Sequence, residues 1–285
     1  MTQPTIPVLG IPTYNRTDLL FRLLASLEHA GAAIEHLVIV NNHPNRNLLL
    51  THPPAHTPVK RMTIIKHPNA GVAGAWNEII KLFPAPWWLI TNDDIAFQPG
   101  DLAKMALAVG ASVVGARSTR APELLGTGVE PVPTGEGLGT GVEPVPTGGT
   151  VPGVFYGNHG ASFFGITAEC VARVGLFDEC IFPAYLEDCD YAYRCDLLGM
   201  PRTNVDGLQA RHGDGELTGS CTVNSDQVIQ AENVRTHGLN FGYYEQKWGG
   251  INGQEKFKTP FNDPHWPVWA WRFEPALRSQ QQWKV

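Results

Sequence analysis

Two adjacent carboxylates, Asp93 and Asp94, follow Asn92 directly behind the apolar run Pro86-Trp87-Trp88-Leu89-Ile90. Side by side at the end of a strand they repel each other unless a cation or a proton lies between them. Hard divalent ions such as Mg2+ and Mn2+ prefer oxygen ligands, and Mg2+ commonly combines one or two carboxylates with substrate phosphates. The triplet therefore has the makings of a metal and diphosphate site. A structural alternative is that Asp93 or Asp94 caps a helix starting near Pro99.

A second cluster is Phe182-Pro-Ala-Tyr-Leu-Glu187-Asp188-Cys-Asp190-Tyr-Ala-Tyr-Arg194. Three carboxylates at a helix start suit the macrodipole, which is reason enough for a structural role. Glu187 and Asp190, three apart, share a face, whereas Asp188 points elsewhere, so distinct roles are open to them. A carboxylate beside a crevice that binds an alcohol can take its proton as general base. The third cluster is Arg211-His212-Gly-Asp-Gly-Glu, whose histidine in a Gly-rich loop can reach a metal or phosphate, or remain a hydrogen-bonded surface residue.

The segments that must hold these groups alternate in type. Ile6 to Ile11, His36 to Val40, Met62 to Lys66 and Pro86 to Thr91 read as buried strands, and Asp18 to His29 and Gly71 to Leu82 as helices between them. This is the signature of βαβ units, so the expected fold class is α/β, a mostly parallel central sheet flanked by helices. Ligands of open α/β sheets bind outside the carboxyl ends of the strands. Pro12-Thr13-Tyr14-Asn15-Arg16, Asn41-Asn42 and Asn92-Asp93-Asp94 all fall there. The Gly-rich start at Gly71 would let the backbone approach something closely. In the second half, Gly153 to Tyr156, Ala161 to Ile166 and Thr203 to Val205 read as strands. Thr167 to Val174, Leu186 to Leu198 and Cys221 to Thr236 read as helices, with an aromatic-rich C-terminal extension from Gly238.

With 43% hydrophobic residues, 285 residues suffice for one elaborated domain, and a net charge of −6 does not recommend a duplex-binding protein. The five cysteines include no CxxC pair, no run approaches the ~20 apolar residues of a membrane span, and the N-terminus is unlike a signal peptide. A cytoplasmic protein with reduced thiols is expected, in a host's cytoplasm if the source is viral. Leu125 to Gly137 is copied almost unchanged from Leu138 to Gly149. Two copies are too few for a solenoid, so this is a duplicated surface loop, or a hairpin or lid near the site.

In order along the chain, these motifs resemble family 2 type glycosyltransferases of the GT-A fold. Ile11-Pro-Thr-Tyr-Asn-Arg16 resembles the family's first-strand motif, and Ile39-Val-Asn-Asn42 its second-strand element, with Asn41 where an Asp commonly meets the nucleobase. Asn69, Gly71 and Asn77 match its helix start. Thr91-Asn-Asp-Asp-Ile95 stands at the DXD position with Asn92 replacing the first Asp, and Tyr185-Leu-Glu-Asp-Cys-Asp190 resembles the acceptor-side ED motif. The match covers residues 6–220. It implies a transferase domain over 1–220, with a nucleotide-sugar half at 1–117, the repeat loop at 120–152, an acceptor half at 150–220 and a helical extension at 221–285.

The resemblance also implies roles. A nucleotide-diphosphate sugar, with a UDP-sugar as first choice, would meet Pro12, Thr13, Tyr14, Asn15, Arg16, Asn41, Gly71, Asn77, Asn92 and Asp93. Mn2+ or Mg2+ would be held by Asp94, joined by His212. Asp188 would be the base of an inverting transfer, and Glu187 and Asp190 would orient acceptor hydroxyls. The acceptor could be a glycan, a lipid-linked sugar, a protein or a hydroxymethylated base in DNA. A nucleotidyltransferase and a non-catalytic sugar-binding protein are the alternative readings of the same fold.

Overall fold

The structure is a computed structural model, describing residues 3–43, 45, 48, 50, 52–53, 55–66, 68–117, 151–214, 221, 227–266 and 268. The tandem repeat and the tryptophans at 269, 271 and 283 lie outside them.

Its strands are β1 (Thr5–Ile6), β2 (Leu9–Thr13), β3 (Ala33–Ile34), β4 (Leu37–Asn41), β5 (Met62–Lys66), β6 (Trp87–Thr91) and β7 (Ile95–Ala96) in the first half. The second half adds β8 (Val154–Gly157), β9 (Gly160–Thr167), β10 (Arg202–Asn204) and β11 (Arg211–His212). The helices are α1 (Thr17–Ser26), α2 (Gly71–Leu82), α3 (Asp101–Arg117), α4 (Ala168–Val174), α5 (Glu187–Leu197) and α6 (Gln227–Trp248). Seven strands form one sheet in the order β10-β8-β9-β6-β2-β4-β5. All its neighbours run parallel except β9, which is antiparallel to both β6 and β8.

The apolar runs are buried on both sides because helices cover both faces. Leu9, Ile11, Leu37, Ile39, Trp87 and Leu89 face one core, with the apolar residues of α1 and α3. Val8, Val38, Val40, Trp88 and Ile90 alternate to the other, against α2, α4 and α5. Adjacent tryptophans 87 and 88 thus anchor opposite layers. The strand expected from Ile6 is two pieces, β1 and β2, because β1 pairs with β3 outside the main sheet.

The C-terminal helix differs most from expectation. Among the described residues it spans Gln227–Trp248, running on through Gly238 over what read as an aromatic arm. Lys247, fully buried, lies 2.8 Å from Asp178 and 2.5 Å from Asp190, and Trp248 Nε1 donates to Asp190 at 2.9 Å. Arg194 completes the network, donating to Asp190 at 2.9 Å and to the carbonyls of Val174 and Leu176. Helix α6 is therefore joined to α5 by buried charge.

Candidate active site

The carboxyl ends of β2, β4 and β6 open on a cleft of about 390 Å³, a volume suited to a small ligand. Pro12, Thr13, Tyr14, Asn42, Asn69 and Gly71 line one side. Asn92, Asp93 and Asp94 line the floor, and Phe182 to Ala184 with Val228, Ile229, Glu232 and Asn233 of α6 form the far wall. No Lys or Arg stands among these lining residues.

Asp93 accepts a hydrogen bond of 2.6 Å from Thr13 Oγ1, which ties the end of β6 to the end of β2. Burial, with Asp94 beside it, pushes its pKa up to about 7 despite that bond. Neither aspartate caps the next helix. Asp101, the first residue of α3, instead accepts from the amides of Gln98 at 2.7 Å and Gln209 at 3.0 Å, tying the helix start to both segments. Asp94 accepts from the Cys221 amide through Oδ2 at 3.1 Å, while its buried Oδ1 has no hydrogen bond among the described residues.

That oxygen lies 3.3 Å from His212 Nε2, which is also buried and also makes no hydrogen bond among the described residues. The meeting follows from a two-residue antiparallel pairing of β11 with β7, His212 opposite Ile95, followed by Gly213 donating to the Asp94 carbonyl at 3.0 Å. Two unsatisfied buried groups are costly unless something lies between them. Their separation is close to the ~3 Å edge between neighbouring ligands of a hard ion with bonds of ~2.1 Å. Among the described residues no three His, Cys, Asp or Glu side chains gather to hold a metal, so this pair would need further ligands from a substrate.

Opposite the cleft floor, Tyr185 and Leu186 adopt positive φ of 74° and 81° before α5 begins. Two successive non-glycine residues in this region store strain, which marks a corner held by its surroundings. Glu187 and Asp188 follow at once. Glu187 is buried, and that burial, with Asp188 adjacent, pushes its pKa up to about 8 from an ordinary 4.5. Asp188 is half-buried and is not one of the cleft-lining residues, with Oδ1 accepting from the Cys189 amide at 2.9 Å.

A raised carboxyl pKa stabilises the fold below its unfolded value, and that contribution is lost as pH rises through the folded value. Glu187→Gln should therefore leave stability unchanged near pH 4 and raise it above pH 8, by an amount on the order of 5 kcal/mol. Thermal unfolding of both proteins across pH 4–9 measures this. A difference that does not grow with pH would show that Glu187 is not held protonated.

Residues 9–122 match the family model for glycosyl transferase family 2. Over these residues the chain matches family 2 glycosyltransferases. It has the GT-A architecture that its motifs implied, a large mixed sheet with helices on both faces. Similar solved structures include a mannosyltransferase from Pyrobaculum calidifontis in complex with GDP-Man and Mn2+, at 15% identity and a TM-score of 0.44. That alignment covers 72% of this chain and 55% of the other. TarS of S. aureus matches at 10% identity and a TM-score of 0.49, over 86% of this chain and 44% of its own. The chain thus spans about half the length of these two structures. No curated protein matches it.

The structure places several of the expected residues away from the cleft lining. Asn41 continues the face of Leu37 and Ile39, and its Oδ1 accepts from the His43 amide at 3.1 Å. Asn42, one residue on, lines the cleft instead and donates to the Gly71 carbonyl at 3.1 Å. Asn77 is buried below α2, with its amide bonded to Phe177 N, Phe177 O and Glu179, so it fixes that loop and does not touch the cleft. Arg16 turns to Asp18 at 2.7 Å and Asp214 at 3.4 Å, and neither it nor Asn15 lines the cleft. Asp190 is wholly buried with Arg194, Lys247 and Trp248, so it cannot orient an acceptor. What Gly71 admits is this chain's own backbone: a Cβ there would meet the Pro183 carbonyl oxygen at 2.7 Å. The α6 wall had no signal in the sequence, because its contributors are ordinary helix residues.

Proposed function

We propose that this protein transfers a sugar from a nucleotide-diphosphate donor to an acceptor hydroxyl with inversion, in the presence of Mn2+ or Mg2+. The observation that carries the reading is the unsatisfied pair Asp94 Oδ1 and His212 Nε2 at 3.3 Å on the floor of the cleft. A diphosphate entering beside Asp93, Asp94 and Glu232 meets no basic lining residue among the described residues, so a cation would offset its charge there. Asp94 and His212 fit as the holders of that cation, which when bound would offset negative charge developing on the departing diphosphate.

The residues divide the remaining work. β6, β2 and β4 are neighbours, so Asn42 lies roughly 10 Å across the sheet from Asp94 at ~4.8 Å per strand, a span suited to a nucleoside. Since its amide nitrogen is committed to the Gly71 carbonyl, Asn42 offers a buried acceptor oxygen without a hydrogen bond among the described residues. That favours a base with a ring N–H, uracil or guanine, and keeps a UDP-sugar as first choice. Tyr14, beside His43 at 5.0 Å, supplies an aromatic face. Asp188 takes the acceptor proton as the hydroxyl attacks the anomeric carbon from the side opposite the diphosphate. Glu187, protonated near neutrality, donates to acceptor or sugar oxygen.

A panel of UDP-, GDP-, CDP- and ADP-sugars with Mn2+, each offered to glycans, lipid-linked sugars, a protein lysate and hydroxymethylated DNA, tests the reading. Turnover is expected with a UDP- or GDP-sugar. DNA is the least favoured acceptor, because an acidic cleft repels a polyanion. Asp94→Asn and His212→Ala should each raise the Mn2+ concentration for half-maximal activity at least ~10-fold. Metal-independent turnover in both variants would remove the cation from the reaction.

A further inference from the structure

Helix α6 carries one continuous stripe of inward residues at helical spacing: Ile229, Asn233, Thr236, Asn240, Tyr243 and Lys247. Its first turns line the cleft through Val228, Ile229, Glu232 and Asn233, and its last turn holds Asp190 of α5. Midway, Asn240, 4% exposed, uses both ends of its amide on backbone: Oδ1 accepts from Phe182 N at 3.3 Å and Nδ2 donates to Ala184 O at 2.9 Å. Those two residues bracket Pro183, whose carbonyl accepts from Val72 N at 2.7 Å. Immediately after come the left-handed Tyr185 and Leu186 and then Glu187 and Asp188. The Tyr185 ring also meets His237 of α6 at 5.6 Å, and Leu186 packs among Tyr243, Tyr244 and Trp248.

We propose that Asn240 is a positioning residue: by clamping Phe182 and Ala184 it holds the left-handed corner that aims Asp188 at the cleft. A strained corner persists only while its surroundings over-determine it. Here two of the restraints come from one side chain, and an apolar residue at 240 would remove both the bond to the Ala184 carbonyl and that from the Phe182 amide. The kinetic part of the inference rests on the transferase reading; the clamping part does not.

The test compares Asn240→Ala and Asn240→Asp with Tyr244→Phe, which removes a buried hydrogen bond from the same helix to Glu255 but none to the corner. Asn240→Asp keeps an acceptor for Phe182 N and loses the donor to Ala184 O, so it serves if the alanine variant does not fold. Hydrogen exchange over residues 182–190 should rise at least ~10-fold in either Asn240 variant and stay unchanged in Tyr244→Phe. Transfer kcat should fall 10- to 100-fold, with the Kd for the nucleotide diphosphate changing less than ~3-fold. Exchange no faster than in Tyr244→Phe would overturn the clamp. Faster exchange with an unaltered kcat in an active protein would overturn the positioning role. Faster exchange in a protein whose wild type transfers no sugar would uphold the clamp and sink the transferase reading.

Discussion

Asp188→Asn is expected to lower transfer kcat by ~10²–10⁴ while leaving donor affinity intact, the range that general-base catalysis supplies. In activation free energy this is about 3–5 kcal/mol. Two carboxyls stand next to each other at the start of α5, and they are not equivalent. Glu187 is buried, with a pKa pushed up to about 8, so near neutrality it carries a proton and is a poor base. Asp188 is half-buried on the first turn, two residues after the left-handed corner. It does not line the cleft, so donor binding has no reason to depend on it. The measurement is kcat under saturating donor beside calorimetric Kd for the nucleotide diphosphate. Turnover within ~3-fold of wild type would sink the assignment, and a large loss of donor affinity would place Asp188 in the donor site.

Lys247→Met is expected to destabilise the fold by about 3–5 kcal/mol, the cost of leaving buried charge uncompensated. Lys247 Nζ lies between Asp178 and Asp190, all three fully buried. Burial alone would raise the Asp190 pKa, but Lys247 and Arg194 outweigh it and hold the group below its usual value. Without Lys247, Asp178 keeps Tyr243 and Asp190 keeps Arg194 and Trp248, which do not replace a positive charge between them. At ~2–4 °C per kcal/mol the melting temperature should fall on the order of 10 °C. The exposed pair Lys60 and Glu35, at a similar 2.7 Å, is the control, and Lys60→Met should cost under about 1 kcal/mol. Equal losses in the two variants would mean that burial does not set the value of the Lys247 network.

Much of the first half was legible because its signals are local. The apolar runs at 37–40 and 87–90 are short and bounded by polar residues, as buried strands are, and the polar residues behind them fall at the carboxyl edge by chain direction alone. Helix α6 was cut short at Thr236 for the opposite reason. Its buried face carries Thr236, Asn240 and Lys247, which read as exposed until Asp178, Asp190 and the corner backbone supply their partners. That Asn42 and not Asn41 lines the cleft is a matter of one residue of register in a period of two, beyond what an Asn-Asn pair can reveal.

What the sequence determined by itself is the α/β class, the order of the strands and helices of the first half, and the grouping of Thr13, Asn92, Asp93 and Asp94 at one edge. It also determined the resemblance that the family match bears out over residues 9–122. Only the tertiary structure decided which carboxylates face the cleft and which are tied down. Asp94 meets His212 through a two-residue pairing between segments more than a hundred positions apart, while Asp190 is drawn into the core by a lysine 57 positions later. Side chains of one type differ in role because burial and partners set their charge state, and partners that distant in the chain leave no local pattern.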